Sequence, residues 1–328
     1  MGGRSSGRRR THPAGRQRPE PGGGARPPRC AGPRRRRRRG DQTGRELLAT
    51  LRAEGVDATT MAVRPDAATP VCVVLAHPDG RTAFLCRWAE AVELTPTDLA
   101  PARDAIDSAR AVIVTFDPPP ATVRAAVDYA LAAGVALVVH PAPPERSVAA
   151  ALVDLPWDRI SAATPNEQEA RLLLAAAGDP AAAGPGAELA AAFGRRFATP
   201  LVCVTRAEHG VAVWDGARAW ARPAHPTTVV DTTAASDAFT AALTHILFAT
   251  NATNATELRA SFPGPPPPGL VEAAVEAGLA AAAWTVRHRG ALDALPHLGD
   301  SAGRVPGEPT SPATEGAFRR KEQPDKRV

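Results

Sequence analysis

With 328 residues, 44% of them hydrophobic, the chain can bury one large core or two modest ones. Its formal charge of +5 is unevenly laid: residues 1–39 hold fourteen arginines against Glu20 alone, so the remainder is near −8 and has no basic face suited to nucleic acid. Cys30, Cys72, Cys86 and Cys203 lack metal-ligand spacing and indicate neither a zinc site nor a disulfide framework; with no apolar run near a bilayer span and no signal-peptide core, a cytoplasmic protein is expected.

Residues 1–39 combine Arg, Gly and Pro with almost no large apolar side chains, and cannot supply the burial that offsets ordering entropy. A disordered leader is expected there, read either as a tail for anionic surfaces or as a mistranslated stretch of GC-rich DNA. From Gly40 the character changes. Thr43 to Glu54 predicts an amphipathic helix with Leu47, Leu48 and Leu51 on one face, stopped by Gly55. Val71 to Ala76 and Thr82 to Cys86 are β-rich runs joined by the hairpin signal His77-Pro78-Asp79-Gly80. Ala111 to Phe116, Val135 to His140, Ile160 to Ala163 and Leu201 to Thr205 are short apolar runs, with helices predicted between them near 120–133, 166–177 and 185–197. Helices near 235–249 and 269–288, separated by the loop Pro263 to Pro268, complete a body of residues 40–298. The alternation predicts a mostly parallel sheet covered by helices on both faces, with the early hairpin as an appendage. Residues 299–328 read as a disordered tail, and the Asn-x-Thr triplets at Asn251 and Asn254 as chance without a secretion signal.

Ligands of a parallel α/β sheet gather at the carboxyl ends of its strands, which gives each strand end a meaning. Phe116-Asp117 ends one strand, His140-Pro141-Ala142-Pro143 the next, Ala163 to Glu169 the third and Thr205 to Gly210 the fourth. A fifth segment, Val229 to Phe239, runs from an apolar stretch through small residues into an alanine-rich helix. Small residues at a helix start leave its first N–H groups open to an anion, and Asp237 in that first turn stands where a carboxylate could take a hydroxyl proton. Each segment has a purely structural alternative. Asn166 and Glu169 have the spacing of a capping box, Thr205 to Gly210 suits a plain turn between two strands, Asp117 suits a turn start, and His140 a structural histidine.

Together and in order, these segments resemble the ribokinase or PfkB family of carbohydrate kinases. Thr164-Pro165-Asn166-Glu167-Gln168-Glu169-Ala170 is similar to the family's TPNExEA segment, and Asp231-Thr232-Thr233-Ala234-Ala235-Ser236-Asp237-Ala238-Phe239 to its DTTAAGDxF signature. The resemblance covers about residues 40–298. It implies ATP-dependent phosphorylation of a sugar hydroxyl in a ribokinase-like three-layer α/β/α fold with a small β lid, formed in part by residues 70–86. It further implies that Asp237 is the catalytic base and that the N–H groups of Ala234, Ala235, Ser236 and Asp237 form the anion hole. Asn166 and Glu169 would place Mg²⁺ and phosphate through water, Thr205 and Gly210 would lie along the ATP phosphates, and Gly290 and Ala291 near the nucleotide. Asp117 would face the sugar, carbonyls around Asp231 and Thr233 would hold a monovalent cation such as K⁺, and a homodimer could form through the lid.

The departures matter as much. Ser236 and Ala207 stand where the family has glycine, His140 where Asn is usual, and Gly278 where a helix Asn often appears. A positive φ at Ser236 would cost on the order of 1–2 kcal/mol. The resemblance also implies an initial strand ending in a sugar-binding Asp and then a Gly-Gly segment with Asn; nothing before Gly40 resembles either, so an N-terminally incomplete fold is expected. Two other readings stand beside the kinase: a non-catalytic descendant that binds nucleotide or a partner protein, and an Arg-tailed nucleic-acid binder. The identity of the sugar is open among ribose, fructose, 2-keto-3-deoxygluconate and nucleosides.

Overall fold

The computed structural model describes residues 41–76, 82–87, 90–143, 145–249 and 269–297. The leader, the tail, the turn His77 to Gly80 and the Pro263 to Pro268 loop lie outside the described residues.

Helix α1 spans Gln42–Ala53, capped by Asp41, whose carboxylate accepts from the N–H of Gly44 (2.9 Å) and from both the N–H and hydroxyl of Thr69 (2.7 Å each). Those donors hold the Asp41 carboxyl down at about 2. The predicted apolar stripe is present, but Leu47 is 43% exposed and no residue of α1 is buried.

Strands β1 (Val71–Ala76) and β2 (Thr82–Arg87) form the expected antiparallel pair. Their register sets Cys72 directly opposite Cys86, and the two sulfurs are joined in a disulfide. This corrects the reading of the cysteines as unpaired. The fourteen-residue separation hid the pairing, because only the hairpin register brings the two positions face to face.

After the short helix α2 (Arg103–Ser108), the main sheet follows in chain order: β3 (Ala111–Thr115), β4 (Ala136–His140), β5 (Ala162–Ala163), β6 (Val202–Thr205), β7 (Val211–Trp214) and β8 (Ala219–Arg222). Strands β3 to β6 pair in parallel, and β7 and β8 continue the sheet antiparallel. Thr205 to Gly210 is thus the turn between two strands that its residues also suit, and Gly210 reverses the chain there. Its φ is 79°, and a Cβ would lie 2.1 Å from Arg222 O, so backbone crowding excludes a side chain. Among the described residues β3 pairs only with β4, and its outer edge is open.

The pleat sorts the core into two layers. Leu137, Val139, Val202 and Val204 face α3 (Pro120–Ala133), α4 (Arg146–Leu152), α5 (Glu167–Ala176) and α6 (Leu189–Phe197) in one cluster, which includes Trp157 packed edge-on against Phe193. Val138, Ala162, Cys203, Val211 and Val213 face α7 (Ala235–Thr244) and α8 (Leu270–Thr285) in the other. The result is the expected three layers with helices on both faces. The helix α4 was not anticipated, since only seven residues carry it. The helix predicted over 235–249 is α-helical to Thr244 and widens to π-type bonding over His245–Ala249.

Between α7 and α8, Gly278 permits close approach: a Cβ there would lie 2.7 Å from Cδ2 of Phe239. Phe239 is buried with Leu243, Val271, Ala274 and Val275, and it sits two residues beyond Asp237. The packing of α8 therefore fixes where the first turn of α7 lies.

Candidate active site

Strands β3 to β6 end on one side of the sheet, and each delivers polar residues there. Residues 136, 138 and 140 of β4 share a face, so the parity that buries Val138 against α7 also points His140 at α7. His140 is 2% exposed. Its Nδ1 donates to Thr164 O at 2.8 Å, with the hydroxyls of Thr164 and Thr240 at 3.2 and 3.4 Å. Its Nε2 faces Asp237 Oδ1 at 3.7 Å.

Asp237 lies in the first turn of α7 with its side chain 61% exposed. The helix begins from Ala234, which takes the left-handed conformation at φ 62°, ψ 9°. Here the structure revises the expectation for Ser236. The positive φ falls on Ala234 and Ser236 is helical, so the serine Cβ carries no backbone strain. Of the four N–H groups expected to meet an anion, that of Ala235 reaches Thr232 O at 3.3 Å, while those of Ala234, Ser236 and Asp237 have no partner among the described residues. Free donors in the first turn, with the helix dipole, favour negative charge at this end.

Asn166 caps α5 through a full capping box. Its Oδ1 accepts from Glu169 N (2.9 Å), Glu169 Oε2 accepts from Asn166 N (2.8 Å), and Asn166 Nδ2 donates to Glu169 Oε1 (2.8 Å). Glu169 is 3% exposed; burial raises its carboxyl above the usual range, the Asn166 N–H and nearby His140 pull it back, and Asp237 raises it further. Thus the structural alternative is realised, and it places the carboxylate within electrostatic reach of Asp237.

Thr205 closes the neighbouring strand end. Its N–H donates to Pro165 O (2.9 Å), and it bridges to Asn166 as an isolated parallel pair. The turn beyond is tied down by Arg206, whose Nε donates to Glu167 Oε1 at 2.9 Å. Gly210 spends its N–H on Ala207 O and its carbonyl on Arg206 N, while Ala207 takes φ 48°.

Asp231 braces the far edge. Its Oδ1 accepts from the N–H (2.9 Å) and hydroxyl (2.7 Å) of Thr233, and its Oδ2 from Gly290 N (3.0 Å). These donors hold its carboxyl at about 2 and fix Gly290, at φ 92°, and the exposed Ala291 against the loop before α7. Sequence reading assigned Asp231 to a cation loop by its carbonyl; the side-chain brace to Gly290, 59 residues away, was not legible. Asp117, at the end of β3, is exposed and has no hydrogen bond or ion pair among the described residues, yet partial withdrawal from water raises its carboxyl.

Among the described residues no group of three or more His, Cys, Asp and Glu stands together as a metal site. Mg²⁺ keeps most of its waters and is commonly held by one or two carboxylates plus substrate phosphates, so it does not require such a group. Glu169, held by Asn166, is the carboxylate that would face such an ion through water.

Residues 40–298 match the pfkB family carbohydrate kinases, and the chain belongs to that family. No curated protein matches significantly. Solved structures with the same fold include a ribokinase from Cryptococcus neoformans var. grubii serotype A in complex with ADP, at 21% identity, TM-score 0.59 and 78% coverage of each chain. A putative ribokinase II from E. coli in complex with ATP and Mg²⁺ aligns at 20% identity and TM-score 0.60, covering 78% of this chain and 77% of that one. Adenosine kinase from Sinorhizobium meliloti aligns at 22% identity and TM-score 0.57, covering 80% and 73%. The three-layer, ribokinase-like architecture expected from sequence is therefore the observed one. Among the described residues no helix is long and apolar enough to cross a membrane.

Proposed function

We propose that this chain transfers the γ-phosphoryl group of ATP to the hydroxyl of a sugar or sugar-like alcohol, with Asp237 as the base. The observation that carries this reading is one helix end. At the start of α7 an exposed carboxylate stands beside the N–H groups of Ser236 and Asp237, which have no partner among the described residues, at the carboxyl side of four parallel strands.

In this reading the substrate hydroxyl loses its proton to Asp237 as its oxygen attacks the γ-phosphorus, and the bond from phosphorus to the β,γ-bridging oxygen breaks to release ADP. The N–H groups of Ser236 and Asp237 receive negative charge on the transferring group, the interaction that matters most where charge develops in the transition state. Mg²⁺, when bound with the nucleotide, would neutralise phosphate charge next to Glu169. Thr205 and Asn166 shape the wall beside the phosphates, and Gly290 with Ala291 the nucleotide side. Asp117 is the candidate for orienting the sugar. A monovalent cation at the carbonyls around Asp231 and Thr233 would be an accessory, and no step depends on it. The exposed Val71, Val73, Val74, Leu75 and Leu85 of the hairpin support pairing of two lids in a homodimer.

The non-catalytic alternative rests on Ser236, Ala207 and the unrecognised N-terminal sugar segment. It loses the first, because Ser236 is helical, and keeps the second, because Ala207 bears a positive φ; the third lies outside the described residues. The test is ADP release from ATP and Mg²⁺ with a panel of sugars and nucleosides. The kinase reading expects at least one alcohol to accelerate ADP release well above the ATPase background. ATP binding with no acceleration by any member would favour the non-catalytic alternative.

A further inference from the structure

His140 suits a structural role by sequence, yet among the described residues it holds a buried side-chain nitrogen with no hydrogen-bond partner. Nε2 of His140 is fully enclosed and meets no donor or acceptor among those residues, while Nδ1 is tied to Thr164 O at 2.8 Å. A carbonyl oxygen only accepts, so Nδ1 carries the ring hydrogen, and in the neutral ring Nε2 presents a lone pair. That lone pair points at Asp237 Oδ1, 3.7 Å away. The imidazole cannot turn aside. β4 parity aims it at α7, and the hydroxyls of Thr164 and Thr240, themselves 2.9 Å apart, flank Nδ1. The ionisable groups facing the ring are Asp237 from α7 and Glu169 from α5.

We propose that His140 is a positioning residue for Asp237: its Nε2 accepts the hydrogen bond of the Asp237 carboxyl once that carboxyl holds the proton taken from the substrate. The inference rests on the reading of Asp237 as base. Before the reaction, an ionised carboxylate and a lone pair have no hydrogen to share, which agrees with the 3.7 Å gap. As the hydroxyl O–H bond breaks and an Oδ–H bond forms, rotation of the exposed carboxyl brings the new hydrogen to Nε2. The contact is gained only on the way to product, so it lowers the barrier without tightening substrate binding. No other donor or acceptor need enter, and the proton leaves to solvent with the next opening of the site. An asparagine side chain at position 140 would fill the same space and offer its own oxygen as acceptor.

The direct test needs no turnover. In Asp237→Asn the amide mimics the protonated carboxyl, so its N–H should donate to Nε2, whereas Asp237→Ala offers no donor. ¹⁵N NMR of His140 should show hydrogen on Nδ1 and a lone pair on Nε2 in the parent chain. The Nε2 resonance should move toward the hydrogen-bonded range in Asp237→Asn and not in Asp237→Ala. A hydrogen on Nε2 of the parent, or the same Nε2 resonance in both variants, overturns the proposal. Kinetically, His140→Ala should lower kcat about tenfold with KM for ATP and for the alcohol unchanged, and His140→Asn should restore most of it. A His140→Ala enzyme with parental kcat overturns the positioning role while leaving Asp237 as base. An active Asp237→Asn enzyme removes the base reading itself.

Discussion

Replacing Gly278 with alanine should push apart the two helices that hold the catalytic turn. The new Cβ would sit 2.7 and 2.8 Å from Cδ2 and Cε2 of Phe239 and 3.1 Å from its carbonyl oxygen, against about 3.5–4.0 Å for an unstrained carbon contact. Phe239 is 1% exposed and packed among Leu243, Val271 and Val275, so its ring cannot swing clear, and the carbonyl belongs to the backbone of α7. Overpacking of this kind costs about 1–3 kcal/mol, which in a domain of this size lowers Tm by roughly 2–10 °C. Because Phe239 lies two residues from Asp237, the strain also displaces the proposed base, and a misplacement near 1 Å would cost on the order of 100-fold in rate. The assay pairs thermal unfolding of Gly278→Ala with its kcat. A variant with parental Tm and parental kcat would refute the claim that this contact sets the position of the α7 start.

Ala198 ends α6 in the left-handed conformation, at φ 55°, ψ 27° and exposed, so Ala198→Gly should raise stability by up to about 1 kcal/mol; a lower Tm contradicts it. Glu169 separates stability from activity. Its carboxyl is raised by burial, so the stability tied to its protonated form is present below the unfolded value near 4.5 and is lost as pH rises through the folded value. Glu169→Gln cannot ionise, so its Tm relative to the parent should climb as pH rises across that window and then level off, while kcat at neutral pH falls about 10–100-fold. A Tm difference that shrinks with rising pH would reverse the sign of this argument. Asp231→Ala should free the Gly290 loop and, on the proposed assignment of Gly290 to the nucleotide side, raise KM for ATP more than it lowers kcat.

The sheet was legible because short β-branched runs alternate with helical periods, and because Asn166 and Glu169 announce a helix start by chemistry as well as by spacing. The order of segments gave the fold even though each segment alone had a structural explanation. What stayed hidden depends on register and on distant pairs. The Cys72–Cys86 pairing follows from hairpin register, the brace from Asp231 to Gly290 crosses the whole of α7 and α8, and the last strand, β8, is only four residues long. The opposition of His140 and Asp237 needs both β4 parity and the docking of α7. Ser236 shows the limit of motif reading: the family glycine suggested a left-handed residue there, and the chain puts that conformation on Ala234 instead.

The central claim is that Asp237 takes the proton of an alcohol that receives the γ-phosphoryl group. The measurement that bears on it most directly compares parent and Asp237→Asn for alcohol-stimulated ADP release, with ATP affinity measured on both. The exposed side chain makes the substitution harmless to the fold, so ATP should bind both alike while kcat falls by about 100-fold or more in the variant. Equal alcohol-dependent turnover by both proteins would contradict the account.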